Sequence, residues 1–78
     1  MLSEAALYCE IGSRVRKARE RLGLSQEWLA GTAGLTRTSI TNLEAGRQRT
    51  QVHVLMVIAA RLGVSLVSLF PPEARSRP

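Results

Sequence analysis

Residues 23 to 46, GLSQEWLAGTAGLTRTSITNLEAG, constrain this chain more than any other stretch, because helix stops and starts recur in it at close spacing. Gly23 suits the left-handed position that ends a preceding helix, and the Ser25 hydroxyl can cap the next one. That helix is expected from Gln26 to about Ala33, with Leu29 and Ala30 turned inward and Gly34 closing it. Thr36 caps a further helix, Arg37 to Ala45, which Gly46 stops. Ile40 and Leu43 lie three apart and share its buried face, so Arg37, Thr38, Thr41 and Asn42 point elsewhere. The stretch reads as two short helices joined by a tight glycine-containing turn, the second presenting an outward polar strip. That strip is the candidate functional surface.

Around this unit the chain has room for one core. Seventy-eight residues suit a single small domain. Hydrophobic residues make up 45%, yet the aromatic ones are only Tyr8, Trp28 and Phe70, so packing falls to Leu, Ile, Val and Ala. Such a core is marginal, and burying more apolar surface between subunits would stabilise it. The single cysteine, Cys9, excludes an intrachain disulfide, and no four-ligand set for structural zinc is present. Cys9 and His53 lack any third partner for catalysis, so no metal, cofactor or enzyme activity is expected. No apolar run reaches the roughly 18 to 20 residues needed to cross a bilayer, and no basic-then-apolar leader opens the chain. A cytoplasmic protein with no membrane partner is the expectation. The formal charge of +5 comes from eleven basic residues, ten of them arginine, against six acids. This balance favours an anionic partner.

In chain order, Ser3 can cap a first helix with Glu4 in its first turn. Leu7, Ile11, Val15, Ala18 and Leu22 continue one apolar stripe, so helix 1 starts anywhere from Glu4 to Glu10. Its other face carries Arg14, Arg16, Lys17 and Arg21, either solvated or reaching flanking phosphates. Gln26 sits at the first position of helix 2, where unpaired backbone N–H groups and its amide can meet an anion. Trp28 is expected half-buried against helix 1. Residues 47 to 50, RQRT, form a basic loop, after which Thr50 caps helix 4, Gln51 to Leu62. Val52, Leu55, Ile58, Ala59 and Leu62 form its inward side. A one-turn helix 5, Leu66 to Phe70, ends at Pro71 and Pro72, and residues 73 to 78 are expected to be frayed. Val54, Met56 or Val57, with some of Leu66, Val67 and Leu69, have no obvious place in so small a core. They point to a dimer contact through the helix 5 region, assigned to Leu66, Val67 and Phe70.

The ordered combination of Leu24-Ser25-Gln26, Leu29-Ala30, Gly34-Leu35, Ile40, Leu43-Glu44, Gly46-Arg47 and Leu62-Gly63-Val64 is specific. From about Ile11 to Phe70, over three quarters of its length, the chain resembles the phage-repressor-like helix-turn-helix proteins, of the Cro/repressor or xenobiotic-response-element type. The resemblance implies a compact, all-α, five-helix lambda-repressor-like domain with the helix-turn-helix formed by helices 2 and 3. It also implies a homodimer that binds palindromic double-stranded DNA and regulates transcription. Residues 1–10 are then an N-terminal extension or the start of helix 1, residues 11–70 the domain, and residues 71–78 a short flexible tail. By the same resemblance Arg37, Thr38, Thr41 and Asn42 fall at base-edge and nearby contacts. Gln26, Thr36, Arg47 and Arg49 fall at phosphates, and Arg19 with Glu44 forms an ion pair between helices 1 and 3.

One departure is Thr50-Gln51 before helix 4, where such families often place Pro and Ser. The short tail leaves no room for a separate effector or oligomerisation domain, so regulation is expected through concentration, degradation, modification or a separate protein partner. Restriction–modification controllers and phage-type repressors fit equally. The alternative is an antitoxin or protein-interaction module on the same helices, which would be expected to carry a longer partner-binding tail.

Overall fold

Ser3 starts the first helix. Its hydroxyl accepts the Ala6 N–H at 3.1 Å, Glu4 lies at the positive end of the dipole, and α1 runs Glu4–Arg21. The chain therefore takes the earliest start its stripe allows. The computed structural model describes residues 2–75, in which three more α-helices follow: α2 (Gln26–Ala33), α3 (Arg37–Glu44) and α4 (Val52–Leu62). Ser25 Oγ caps α2 by accepting from Trp28 N at 2.9 Å, and Thr36 Oγ1 caps α3 by accepting from Ser39 N at 3.0 Å. Helix α3 ends at Glu44, with Ala45 as its C-cap rather than its last residue. Helix α4 begins after Gln51, whose carbonyl accepts from Val54 and Leu55; Thr50 is not its cap.

The expected fifth α-helix does not form, so the described residues hold four α-helices and not five. In its place stand two short 3-10 turns, Val67–Leu69 and Pro72–Arg75. Proline explains the difference. Pro71 drives the residue before it away from the helical region, and Phe70 is extended at φ −100°, ψ 143°. From Ser65 to Phe70 the backbone bonds are i→i+3: Ser68 N to Ser65 O, Leu69 N to Leu66 O, and Phe70 N to Val67 O. Pro71 itself is buried, and Arg75 Nε donates to the Phe70 carbonyl at 2.8 Å, so residues 73–75 belong to a bonded turn. Residues 76–78 of the expected tail lie outside the described residues.

One core joins all four helices. Ile11, Val15 and Ala18 of α1 meet Leu29 and Ala30 of α2, Ile40 and Leu43 of α3, and Leu55, Ile58, Ala59 and Leu62 of α4, with Leu69 closing one end. Of the residues expected to be surplus, Leu69 and Val54 pack here. Val67 and Met56 stand in solvent at 57% and 55% exposure. Val52 is 59% exposed and so lies on the outward face of α4, not the inward one. Trp28 also remains 40% exposed.

Two close approaches fix α1 beneath α3. A Cβ on Gly12 would overlap the Leu43 carbonyl and lie 2.7 Å from that of Glu44, so only glycine lets α1 run this near the end of α3. Gly46, at φ 74°, turns the chain away directly over Cys9, whose Cα a Cβ would meet at 2.7 Å.

Gly12→Ala is therefore expected to destabilise the domain by about 1–3 kcal/mol through overpacking. Gly31 lies mid-helix in α2 with nothing within 4 Å of its added Cβ. Gly31→Ala should stabilise by about 0.5–1 kcal/mol. Urea unfolding of both variants checks the opposite signs.

Candidate nucleic-acid interface

The site is built around a buried ion pair. Arg19, in the last turn of α1, forks onto Glu44 at the end of α3, with Nε to Oε2 at 2.7 Å and Nη2 to Oε1 at 3.0 Å. The two side chains are only 10% and 4% exposed. Arg19 Nη1 also donates to the Leu24 carbonyl at 2.7 Å, tying down the turn before α2. The hydrogen bond to Glu44, then its charge, holds Arg19 above its ordinary pKa despite the opposing effect of burial. The guanidinium is thus charged at every working pH. A carboxylate at a helix C-terminus opposes the dipole, and Arg19 compensates it.

Gln26 extends this network toward solvent. Its Nε2 donates to Glu44 Oε1 at 3.0 Å, and its Oε1 lies 3.0 Å from the Thr41 hydroxyl. That hydroxyl is also 3.0 Å from the Arg37 carbonyl, and its single proton is shared between the two acceptors. One Gln26 amide N–H is thus committed to Glu44 while the second is left to point elsewhere. Arg16, Arg19, Glu20, Gln26, Thr41, Glu44 and Arg47 line one shallow groove. At its edge the start of α2 and the outward strip of α3 come together.

The remaining expected site residues separate into groups. Arg37 and Thr38 are exposed on the first turn of α3, and Asn42 is half-buried, its carbonyl accepting from Arg47 N at 2.9 Å. Thr36 spends its hydroxyl on the cap, accepting from Ser39 N and contacting Ser39 Oγ at 3.0 Å. Arg47 is exposed and borders the groove. Arg49 sits apart from it, paired with Glu4 at 2.6 Å across the N-terminal turn of α1. Val67 is exposed, and Leu66 and Phe70 are half-buried against the core. Arg16, one of the α1 cations expected to be solvated or to reach flanking phosphates, is joined to Glu20 at 3.1 Å, and both belong to the groove. Their spacing from Arg19 along α1 was the available signal of that shared placement.

Among the described residues, no group of three or more His, Cys, Asp and Glu side chains could hold a metal ion. No helix among them is long and apolar enough to cross a membrane.

The model of the helix-turn-helix family matches residues 15–69. An HTH-type transcriptional regulator of Sinorhizobium fredii, y4mF, is 38% identical over 66 residues, covering 85% of this chain and 87% of that protein. Among solved structures, the restriction-modification controller protein C.AhdI from Aeromonas hydrophila is 32% identical. It superposes with a TM-score of 0.78, over 81% of this chain and 96% of that one. SinR, a master regulator for biofilm formation solved in complex with DNA, is 30% identical with a TM-score of 0.72, over 76% of this chain and 95% of its own.

Removing one member of a sheltered pair leaves the other poorly solvated, so Glu44→Ala is expected to cost about 3–5 kcal/mol. Chemical denaturation of Glu44→Ala, Arg19→Ala and the double variant gives the coupling energy. A coupling near zero would reduce the pair to two independent charges.

Proposed function

Because this chain belongs to the helix-turn-helix family of DNA-binding transcriptional regulators, we propose that it works, without catalysis, as a cytoplasmic homodimer on a palindromic double-stranded operator. The observation that carries this reading is the Arg19–Glu44–Gln26–Thr41 network. It locks the exposed strip of α3 to the N-terminus of α2 in one orientation. A rigid polar strip beside a helix N-terminus suits a groove edge flanked by phosphates.

Roles follow from side-chain chemistry. Arg37 forks onto guanine O6 and N7, Thr38 and Thr41 touch thymine methyl groups or phosphate, and Asn42 pairs with adenine or a phosphate. Gln26, Thr36, Arg47 and Arg49 meet phosphates, with the free N–H of Gln26 and the backbone of the first α2 turn as donors. Arg49 exchanges Glu4 for phosphate to do so. Val67, exposed on the first 3-10 turn, joins Leu66 and Phe70 in the subunit contact. A two-fold dimer then sets its two α3 helices about 34 Å apart, one turn of DNA. The likeness to a restriction-modification controller supports that subtype, with a phage-type repressor as the other.

Arg37→Ala is expected to lose about 1–3 kcal/mol on the operator and to flatten the preference at one base position. Gln26→Ala and Arg47→Ala should weaken all sequences alike. Binding of the three variants to a library of single-base operator changes checks the division; an equal loss of preference in all three overturns it.

Sedimentation at micromolar protein, free and on DNA, is expected to show a dimer, and Val67→Asp should shift it toward monomer. Exclusively monomeric parent protein in both states would remove the subunit contact from the proposal.

A further inference from the structure

A second groove lies between α1 and the first 3-10 turn. Arg14, Lys17 and Arg21 form one of its walls, the Ser13 and Ser68 side chains border it, and Leu69 with its neighbours forms an apolar floor. At 100° per residue these three cations cluster roughly 140° around α1 from Arg16, Arg19 and Glu20, which line the groove beside α3. The two grooves share no lining residue.

The charge in this second groove is poorly balanced. Arg14, Lys17 and Arg21 follow one another at i, i+3 and i+7, spacings at which like charges on a helix repel. The one acid lining it, Glu10, stands 3.5 Å from Arg14 Nε. That Nε is shut off from solvent and has no hydrogen-bond partner. By contrast Arg16, Arg19 and Arg49 each hold a carboxylate at 3.1 Å or closer. Three cations along one wall of a concave surface, with a single carboxylate beside them, suit an anion, which the exposed part of the Arg14 guanidinium can meet together with Lys17 and Arg21.

We propose that this groove binds a small phosphorylated molecule. A phosphate monoester offers three acceptor oxygens and up to two negative charges, which match two guanidinium groups, one ammonium and the Ser13 hydroxyl, the Ser68 hydroxyl already donating to the Ser65 carbonyl at 2.6 Å. The groove holds about 250 Å³, enough for a phosphate and a short carbon body lying against Val64. Because one wall is the turn that carries Val67, an occupant braces α1 against the segment assigned to the subunit contact. Binding itself stands on the free chain and needs neither a dimer nor DNA.

The test follows backbone amide NMR shifts of the DNA-free protein during titration with glycerol 3-phosphate at constant ionic strength, with glycerol as control. Saturable shifts at Ser13, Lys17 and Ser68, with Gln26, Thr41 and Arg47 unmoved and no response to glycerol, are expected. Lys17→Gln, at an exposed position, should weaken binding at least tenfold. Ser68→Glu, which supplies a carboxylate to the same cations, should abolish binding while keeping the melting temperature at or above that of the parent. A parallel titration with a short non-operator duplex should move the Gln26, Thr41 and Arg47 amides and spare Ser13 and Ser68. Absence of saturation, shifts confined to the groove beside α3, unchanged affinity in both variants, or duplex shifts at Ser13 and Ser68 would each overturn the proposal.

Discussion

Everything on the polar side of this domain depends on the buried contact between Arg19 and Glu44. Eight-residue helices such as α2 and α3 are too short to persist alone in water, so their positions are set by what they pack against. Apolar packing holds them on one side, through Leu29, Ile40 and Leu43. On the other side the ion pair does the same work with direction as well as contact. A fork of two short hydrogen bonds tolerates little rotation, whereas a leucine tolerates several rotamers. The third guanidinium bond, to the Leu24 carbonyl, draws the turn before α2 into the same geometry.

Helix α1 is the frame on which this is assembled. Its eighteen residues contribute to the core, to the ion pair and to both polar grooves. Its first three turns reach under the end of α3 and the segment that follows it. There Cys9 supports Gly46, Gly12 admits the carbonyls of Leu43 and Glu44, and Glu4 pairs with Arg49. The basic loop after α3 is thus held from beneath by a helix. The exposed Glu4–Arg49 pair adds little stability by itself, so the backbone approach at Gly12 and Gly46 carries that support.

The parts of the fold that act locally could be read from the residues. Ser3, Ser25 and Thr36 cap the helices that follow them because a hydroxyl needs only its own next turn. Leu29, Ile40 and Leu43 showed their inward direction through spacing. The fifth helix failed because the choice between i→i+4 and i→i+3 bonding was made by Pro71, which leaves Phe70 extended. Val52 was placed inward because one residue at a helix start has no periodic neighbours to correct it. Gly12 went unnoticed because close helix approach is a tertiary fact that a single glycine does not announce. Within the candidate site, the α3 strip and the position of Gln26 were legible from helix geometry. The side-chain bonds of Gln26 to Glu44 and Thr41 were not, since they join residues 18 and 15 apart in the chain.

The division of α3 into two faces has a consequence for how such a chain can diverge. Ile40, Leu43 and Glu44 answer to the interior, while Arg37 and Thr38 answer only to what lies outside. Replacing either of the latter alters the exterior chemistry and leaves folding nearly untouched, since surface changes away from caps and buried pairs stay within about 0.5 kcal/mol. Thr41 is different, because its hydroxyl meets Gln26 and any change there reaches back toward the interior network. Duplicated copies of this gene would therefore be free to drift apart at positions 37 and 38 first. Position 41 would follow only when position 26 moved with it, leaving a correlated pair of substitutions as the mark of a lineage that had changed its target.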